Sequence, residues 1–395
     1  MKVAFVVQRY GLEVNGGSEF LCRQIAEHMT QHWDLDVLTS CAKEYVTWEN
    51  TYPPGASQVN GVHVNRFRVD YPRNLSLFNR LSEAVFSEKT TLALQTRWAR
   101  EQGPYSSEFL RYLKTQGTKY DVFFFFTYLY GFTYFGLPLV ADRSILIPTA
   151  HDEPPFHLTP FQSLFSKPQA FLFQTLEEQE LVLKKFNLKA PHDIVSTGIE
   201  DPDLTQALQL LSPLQNRFQK PYILYLGRID ESKGCGELFH YFIQYKALHP
   251  GNNLKLVLAG SAVMPIPQHP DIIYLGFIED NLKYALLANA IVMLMPSLYE
   301  SLSLATLEAW STGTPVLVNR KSTVLVGQCL RSGAGASYEN YKEFEIELNR
   351  FLTQPDFGKQ LGKRGQEFVR AHYLWERIEA SYLNWGQKIA GSKNL

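Results

Sequence analysis

Short apolar runs alternate with segments of helical spacing along the whole chain, and that alternation limits the fold more than any other feature. The first run, KVAFVVQ from Lys2 to Gln8, is followed by a loop, by Gly16 and Gly17, by the helical pattern FLCRQIAEHM and by a second run, DVLTS. Further runs are expected at Val122 to Phe126, Ile145 to Pro148 and Ala170 to Phe173, and then at YILYLG, LKLVLAG, IIYLGF, IVMLMP and VLVN. Helical patterns near Glu237 to Leu248 and Leu282 to Asn289 separate members of the later set. Fully apolar strands joined by helices are the signature of parallel sheets covered on both faces. A chain of 395 residues exceeds one comfortable core. The polar, proline-containing segment from Gly198 to Lys220 reads as the link between two α/β domains, 1–200 and 217–375.

Composition narrows the function classes. Hydrophobic residues make up 45% and aromatics 13%, enough for packed domains rather than wholesale disorder. A net charge of -1 gives no global attraction to nucleic acid or anionic membrane. Cys22, Cys41, Cys235 and Cys329 form no CxxC pair and have no histidine at metal-ligand spacing, which points to a reducing cytosol. The strand-like start at Val3 argues against a secretory leader. The uncharged stretch from Val122 to Ala141 is long enough for a bilayer, but its glycines and proline and its lack of a flanking basic cluster favour a strand, a loop and a buried helix.

Candidate chemistry collects at strand ends. PSLYESLSLATLEAWSTGTPVLVN, Pro296 to Asn319, reads as loop, helix, turn and buried strand, with Gly313 just past the helix. Glu300 then lies outside the helix N-terminus and Glu308 more than a turn inside it. The amides of Ser301, Leu302, Ser303 and Leu304 face the positive end of the dipole, where an anion or hydroxyl is held. Glutamates are also common there as dipole partners and helix formers. Gly16 and Gly17 stand at a βα turn where absent Cβ atoms admit an anion, although most glycine pairs only turn the chain. His151-Asp152-Glu153-Pro154-Pro155 follows a strand; His151 can donate to a hydroxyl, with Asp152 or Glu153 orienting it. Arg228 and Lys233 bracket a short loop after YILYLG and suit a diphosphate. Arg66, Arg68, Arg73 and Arg80, interleaved with aromatics, suit an anionic membrane surface or a phosphorylated acceptor, or an ordinary solvated face. Asp34/Asp36 and Asp201/Asp203 have Asp-x-Asp spacing but sit at a strand start and in the link, so both are read as structural.

NGGSE, GRIDESKG, LAGS, LGFI and above all ESLSLATLEAWSTGTPVLVN resemble, in this order, the family-4 retaining glycosyltransferases of GT-B fold, two doubly wound Rossmann-like domains facing across a cleft. The resemblance implies that a C-terminal helix at about 376–395 packs back on the first domain. It implies amides of Gly16 and Gly17 on the donor diphosphate, Arg228 and Lys233 on the same group from the second domain, and Glu300 on the donor sugar with the amides of Leu302 and Ser303. Leu304 and Ala305 would lie nearer the phosphate, Glu308 on the ribose, backbone around Phe277 and Ile278 on the base, and His151 beside sugar and acceptor. No metal and no cofactor besides the nucleotide sugar is implied. Ser301 and Ser303 stand where many members have glycine, which would crowd the sugar pocket.

The expectation is a cytoplasmic hexosyltransferase using UDP-glucose or a related UDP-sugar and a glycan or lipid-linked glycan, for envelope or exopolysaccharide synthesis, working peripherally at the inner face of the membrane. Nucleic acid is not expected as a partner. A sugar-nucleotide epimerase of related fold and a non-catalytic sugar-nucleotide-binding protein are the other readings.

Overall fold

The computed structural model describes residues 1–14, 16–87, 90–205 and 221–391. Most of the expected link, residues 206–220, and Asn15 of the NGGSE motif lie outside the described residues. The chain divides into two compact units, Met1–Thr197 with Glu376–Leu395, and Gly198–Trp375. Gly198 to Thr205, read from sequence as part of the link, thus belong to the second unit. There the Ile199 N–H donates to the Tyr373 carbonyl at 2.8 Å.

The first unit is built on an eight-stranded sheet of order β3-β4-β2-β1-β5-β6-β7-β8. Its strands are β1 (Lys2–Val6), β2 (Asp34–Ser40), β3 (Gly55–Val59), β4 (Val62–Phe67), β5 (Val122–Phe126), β6 (Ser144–Ile147), β7 (Ala170–Phe173) and β8 (His192–Ile194). All pair in parallel except β3 with β4, a hairpin at the sheet edge. The uncharged stretch resolves into the expected strand and helix: β5, VFFFF, is buried throughout, and a short helix, Gly131–Gly136, follows it. Phe124 packs on Phe5, Trp33 and Tyr382, so its truncation to Ala is worth roughly 3–5 kcal/mol. Among the described residues no helix is long and apolar enough to cross a membrane.

The second unit has a six-stranded, wholly parallel sheet of order β11-β10-β9-β12-β13-β14. Its strands are β9 (Tyr222–Leu226), β10 (Lys255–Ala259), β11 (Ile272–Tyr274), β12 (Met293–Met295), β13 (Val316–Asn319) and β14 (Gly335–Tyr338). Counted within the unit the order is 3-2-1-4-5-6, the doubly wound arrangement in which strand order reverses between the first and fourth strands. Here these are β9 and β12, which pair at Leu224 and Met293. One core cluster, containing Leu224, Leu307, Trp310 and Val316, packs against one set of sheet residues. Another, containing Ile223, Phe239, Phe242 and Phe344, packs against the alternate set. The expected α/β, doubly wound class is what the two sheets show.

Candidate active site

The loops after β9 and β12 lie at the reversal point of the second sheet, where open α/β sheets bind ligands. After β9 the Tyr225 hydroxyl donates to the Arg228 carbonyl at 2.7 Å, and the Ile229 N–H donates to the Ser261 carbonyl at 2.9 Å. Arg228 Nε pairs with Asp230 Oδ2 at 3.0 Å, while Asp230 Oδ1 accepts from the Ser232 N–H at 2.8 Å. One carboxylate therefore orients Arg228 and caps the 3-10 turn Glu231–Lys233. Gly234 follows in the left-handed region at φ 74°, and a Cβ there would stand 2.3 Å from the Pro296 carbonyl oxygen. The two loops are thus in backbone contact at a position only glycine fits.

That contact brings two of the predicted residues together. Lys233 Nζ donates to Glu300 Oε1 at 2.8 Å, with the Glu300 side chain only 12% exposed. Beyond it Leu302 is buried in the core and anchors the loop, and Ser303, at φ 68°, caps the helix Leu304–Ser311. The Ser303 hydroxyl lies 2.9 Å from that of Thr306, turned back onto its own helix. Leu304 and Ala305 are partly buried against the core. The helix ends at Thr312, with Gly313 at φ 80° after it, as the sequence pattern required.

Glu308 is buried one turn inside that helix. Its Oε1 accepts from Lys283 Nζ at 2.6 Å, and Lys283 also meets Asp280 Oδ1 at 2.8 Å. Burial pushes the Glu308 carboxyl above its usual range, and Lys283 opposes that shift. Lys283 sits on the helix Asp280–Asn289 and is itself buried. Burial works against its charge, but the carboxylates of Glu308 and Asp280, with Tyr284, outweigh it and raise the ammonium pKa. Phe277, just before that helix, is 67% exposed, and Ile278 is half-buried.

In the first unit, Gly16 and Gly17 open the helix Gly17–Met29. Behind them Arg9 Nε donates to Glu19 Oε1 at 2.8 Å in a pair of which each side chain is about nineteen-twentieths buried, with 6% and 5% exposure, and Arg9 also donates to the Lys43 carbonyl at 3.1 Å. A Cβ on Gly16 would lie 2.3 Å from Glu19 Oε2, whereas one on Gly17 meets nothing within 4 Å. Gly16 is accordingly required by packing, and Gly17 faces open space. His151 Nδ1 is 3.5 Å from Glu153 Oε1, which also accepts from the Tyr128 hydroxyl at 3.1 Å. Asp152 instead meets His157 Nε2 at 2.6 Å and does not orient His151. The strand end is held by buried Glu178, which accepts from the N–H groups of Ala150 and Gln174, both at 2.6 Å.

The arginine-rich stretch is not one basic face. Arg66 is buried, donates to the Tyr10 carbonyl at 2.9 Å and lies over the Tyr52 ring at 4.6 Å. Arg73 donates to the Tyr45 carbonyl at 3.1 Å and lies over Phe78 at 4.4 Å, with burial pulling its pKa down to about 10. Arg68 and Arg80 remain exposed. Asp34 and Asp36 are held by Lys2 at 3.0 and 3.3 Å, and Asp36 accepts from Tyr120 at 2.7 Å. Among the described residues no group of three or more His, Cys, Asp and Glu is arranged to hold a metal.

The two doubly wound sheets are those of the GT-B fold. Residues 220–353 match the family described as Glycosyl transferases group 1, so both charged loops fall within the matched segment. The chain is 22% identical to an uncharacterized glycosyltransferase of Methanocaldococcus jannaschii over 97% of each chain. In three dimensions it is similar to sucrose-phosphate synthase from Thermosynechococcus elongatus, with a TM-score of 0.73, 16% identity and 99% of each chain covered. It is also similar to Anabaena HepE in complex with UDP-glucose, with a TM-score of 0.68 and 13% identity over 100% of this chain and 99% of that one.

Sequence reasoning missed Lys283, Asp230 as the organiser of its loop, and the Arg9–Glu19 pair. Asp230 had a signal, since an Asp two residues before a backbone N–H is the Asx-turn pattern. Lys283 had none, because NLKYALLAN reads as an ordinary helix with a lysine on its wet side.

Proposed function

We propose that the chain is a retaining, metal-independent hexosyltransferase that moves a sugar from a nucleoside diphosphate, UDP-glucose or a related UDP-sugar, to a glycan or lipid-linked glycan in envelope or exopolysaccharide synthesis. The observation that carries this reading is the Lys233–Glu300 contact at 2.8 Å, made from the loop that also carries Arg228. In this reading Lys233 is the phosphate-binding cation and Glu300, beside it, the hydroxyl-binding carboxylate, which supports a ligand that carries both a phosphate and a sugar. Arg228 and Lys233 supply the positive charge that a departing nucleoside diphosphate requires, a task a metal performs elsewhere. Glu300 and the amides of Leu302 and Ser303 take the sugar hydroxyls. Leu304 and Ala305 lie toward the phosphate, Glu308 takes the ribose, and backbone at Phe277 and Ile278 takes the base. In the first unit Gly16 and Gly17 offer amides to an anion, and His151 donates to a hydroxyl.

Chemistry in this reading is positioning and electrostatics rather than a dedicated protein base. The acceptor hydroxyl attacks on the face that the nucleotide leaves, and its proton passes to the departing phosphate. The solved Anabaena structure holding UDP-glucose and the E. coli trehalose-6-phosphate structure bound with UDP-2-fluoro glucose favour a UDP-sugar. Thermal shift of the purified protein with UDP-, GDP-, ADP- and dTDP-sugars, with and without magnesium, tests the donor. At 100 times its dissociation constant a ligand adds roughly 2.7 kcal/mol, a shift of a few degrees. A magnesium-independent response to a UDP-sugar is expected, and silence across the panel from folded protein sinks the reading. The anomeric configuration of the product, read by NMR, tests retention.

A further inference from the structure

We propose that Lys283 is a positioning residue for the nucleotide ribose, acting through Glu308. This rests on the donor reading above and extends it to a residue on a different helix. The carboxylate of Glu308 is almost wholly removed from water, and a buried carboxylate left alone takes up a proton and ceases to be a pure acceptor. Lys283 Nζ, 2.6 Å from Oε1, supplies the counter-charge and fixes the rotamer. Its second partner, Asp280 Oδ1 at 2.8 Å, is on the exposed side of the same helix, so the ammonium is drawn from both ends. The Lys283 side chain is 11% exposed and that of Glu308 8%. With Oε1 committed to the ammonium, Oε2 is the oxygen that a ribose diol meets, and an ionised carboxylate oxygen accepts two hydroxyl donors where a carboxylic acid would compete as a donor itself.

A merely structural ion pair would also occupy this place, so the test reads the ribose hydroxyls directly. Binding of UDP and of 2′,3′-dideoxy-UDP is measured by calorimetry for the wild type and for Lys283→Met and Lys283→Arg. The wild type is expected to prefer UDP by roughly tenfold or more, the range for hydrogen bonds to a charged group. Lys283→Met, which keeps the packing volume, is expected to bind UDP more weakly and to separate the two nucleotides by less than about twofold. Lys283→Arg is expected to restore most of the preference. A folded Lys283→Met that discriminates as well as the wild type overturns the role of Lys283 alone. A wild type that binds both nucleotides equally overturns the ribose role of Glu308 together with it. A wild type that binds neither overturns the UDP donor reading on which both depend. Should Lys283→Met fail to fold, Lys283→Gln, which retains a donor without its charge, is read by the same criterion.

Discussion

Lys233 Nζ and Glu300 Oε1 meet at 2.8 Å across two loops that are 67 positions apart in sequence. Each charge is therefore held in place by the other before any anion arrives. Lys233→Ala and Glu300→Ala are each expected to lower kcat/KM by about 100-fold with a UDP-sugar, the scale of losing one charged contact in a transition state. The double variant should lose much less than the product of the two, because the residues act as a unit. Steady-state kinetics of the three variants decide it, and strictly multiplicative losses would show that the contact is incidental.

The glycine pair separates packing from function. Gly16→Ala forces a Cβ into the Glu19 carboxylate and is expected to cost about 1–3 kcal/mol, seen as a lower urea midpoint. Gly17→Ala, at the first helical position with open space around it, should be neutral or stabilise by roughly 0.5–1 kcal/mol. If its amide approaches a diphosphate, the same variant loses donor affinity. Unimpaired turnover in Gly17→Ala would remove that position from the site.

Gly234 joins both loops of the second unit. Its positive φ and its approach to the Pro296 carbonyl are both closed to alanine, so Gly234→Ala should destabilise by about 2–4 kcal/mol and displace Lys233. Chemical denaturation together with UDP affinity checks this. Normal stability would mean that the loop relaxes without consequence.

A pH effect is expected from the helix Trp375–Gly391, where Glu379 accepts from His28 Nδ1 at 2.8 Å and His32 Nε2 at 3.0 Å. Burial pushes the Glu379 carboxyl up, but the two imidazole contacts outweigh it and leave the pKa below the usual value. A carboxylate depressed on folding contributes stability above its unfolded pKa, about 4.3, and that contribution is lost as pH falls through the folded value. Melting temperature measured between pH 3 and 6 should therefore fall less steeply for Glu379→Gln than for the wild type. The difference should amount to about 1–2 °C, given partial solvent screening. Parallel curves would refute it.

Much of the second unit was legible because its signals are local. The turn at Gly313, the helix from Leu304 and the buried run Val316–Asn319 depend on residues within a few positions of one another. The hairpin β3–β4 was also legible, since Asn60 and Gly61, at φ 47° and 81°, are the dipeptide that a two-residue hairpin turn favours. That signal passed unread because the strand Gly55–Val59 is largely exposed and not apolar. Arg66 was misjudged for a different reason. Its acceptor, the Tyr10 carbonyl, lies 56 positions away, and which way a cation points depends on which strands become neighbours. Lys283 belongs to the same class: a lysine's burial is decided by a carboxylate on another helix, and no periodicity within its own segment records it.

The first unit is discontinuous along the chain, and synthesis is not. When residue 375 emerges from a ribosome the second unit has all of its strands, while the first, begun earlier, still lacks Glu376–Gly391. Those late residues carry Tyr382, wholly buried, whose hydroxyl donates to the Ser196 carbonyl at 3.3 Å, and Trp385, whose indole donates to Asp193 at 3.0 Å. The half translated first is thus sealed last, and its apolar sheet face waits, open to chaperones or to aggregation, for the time needed to make the whole of the other half.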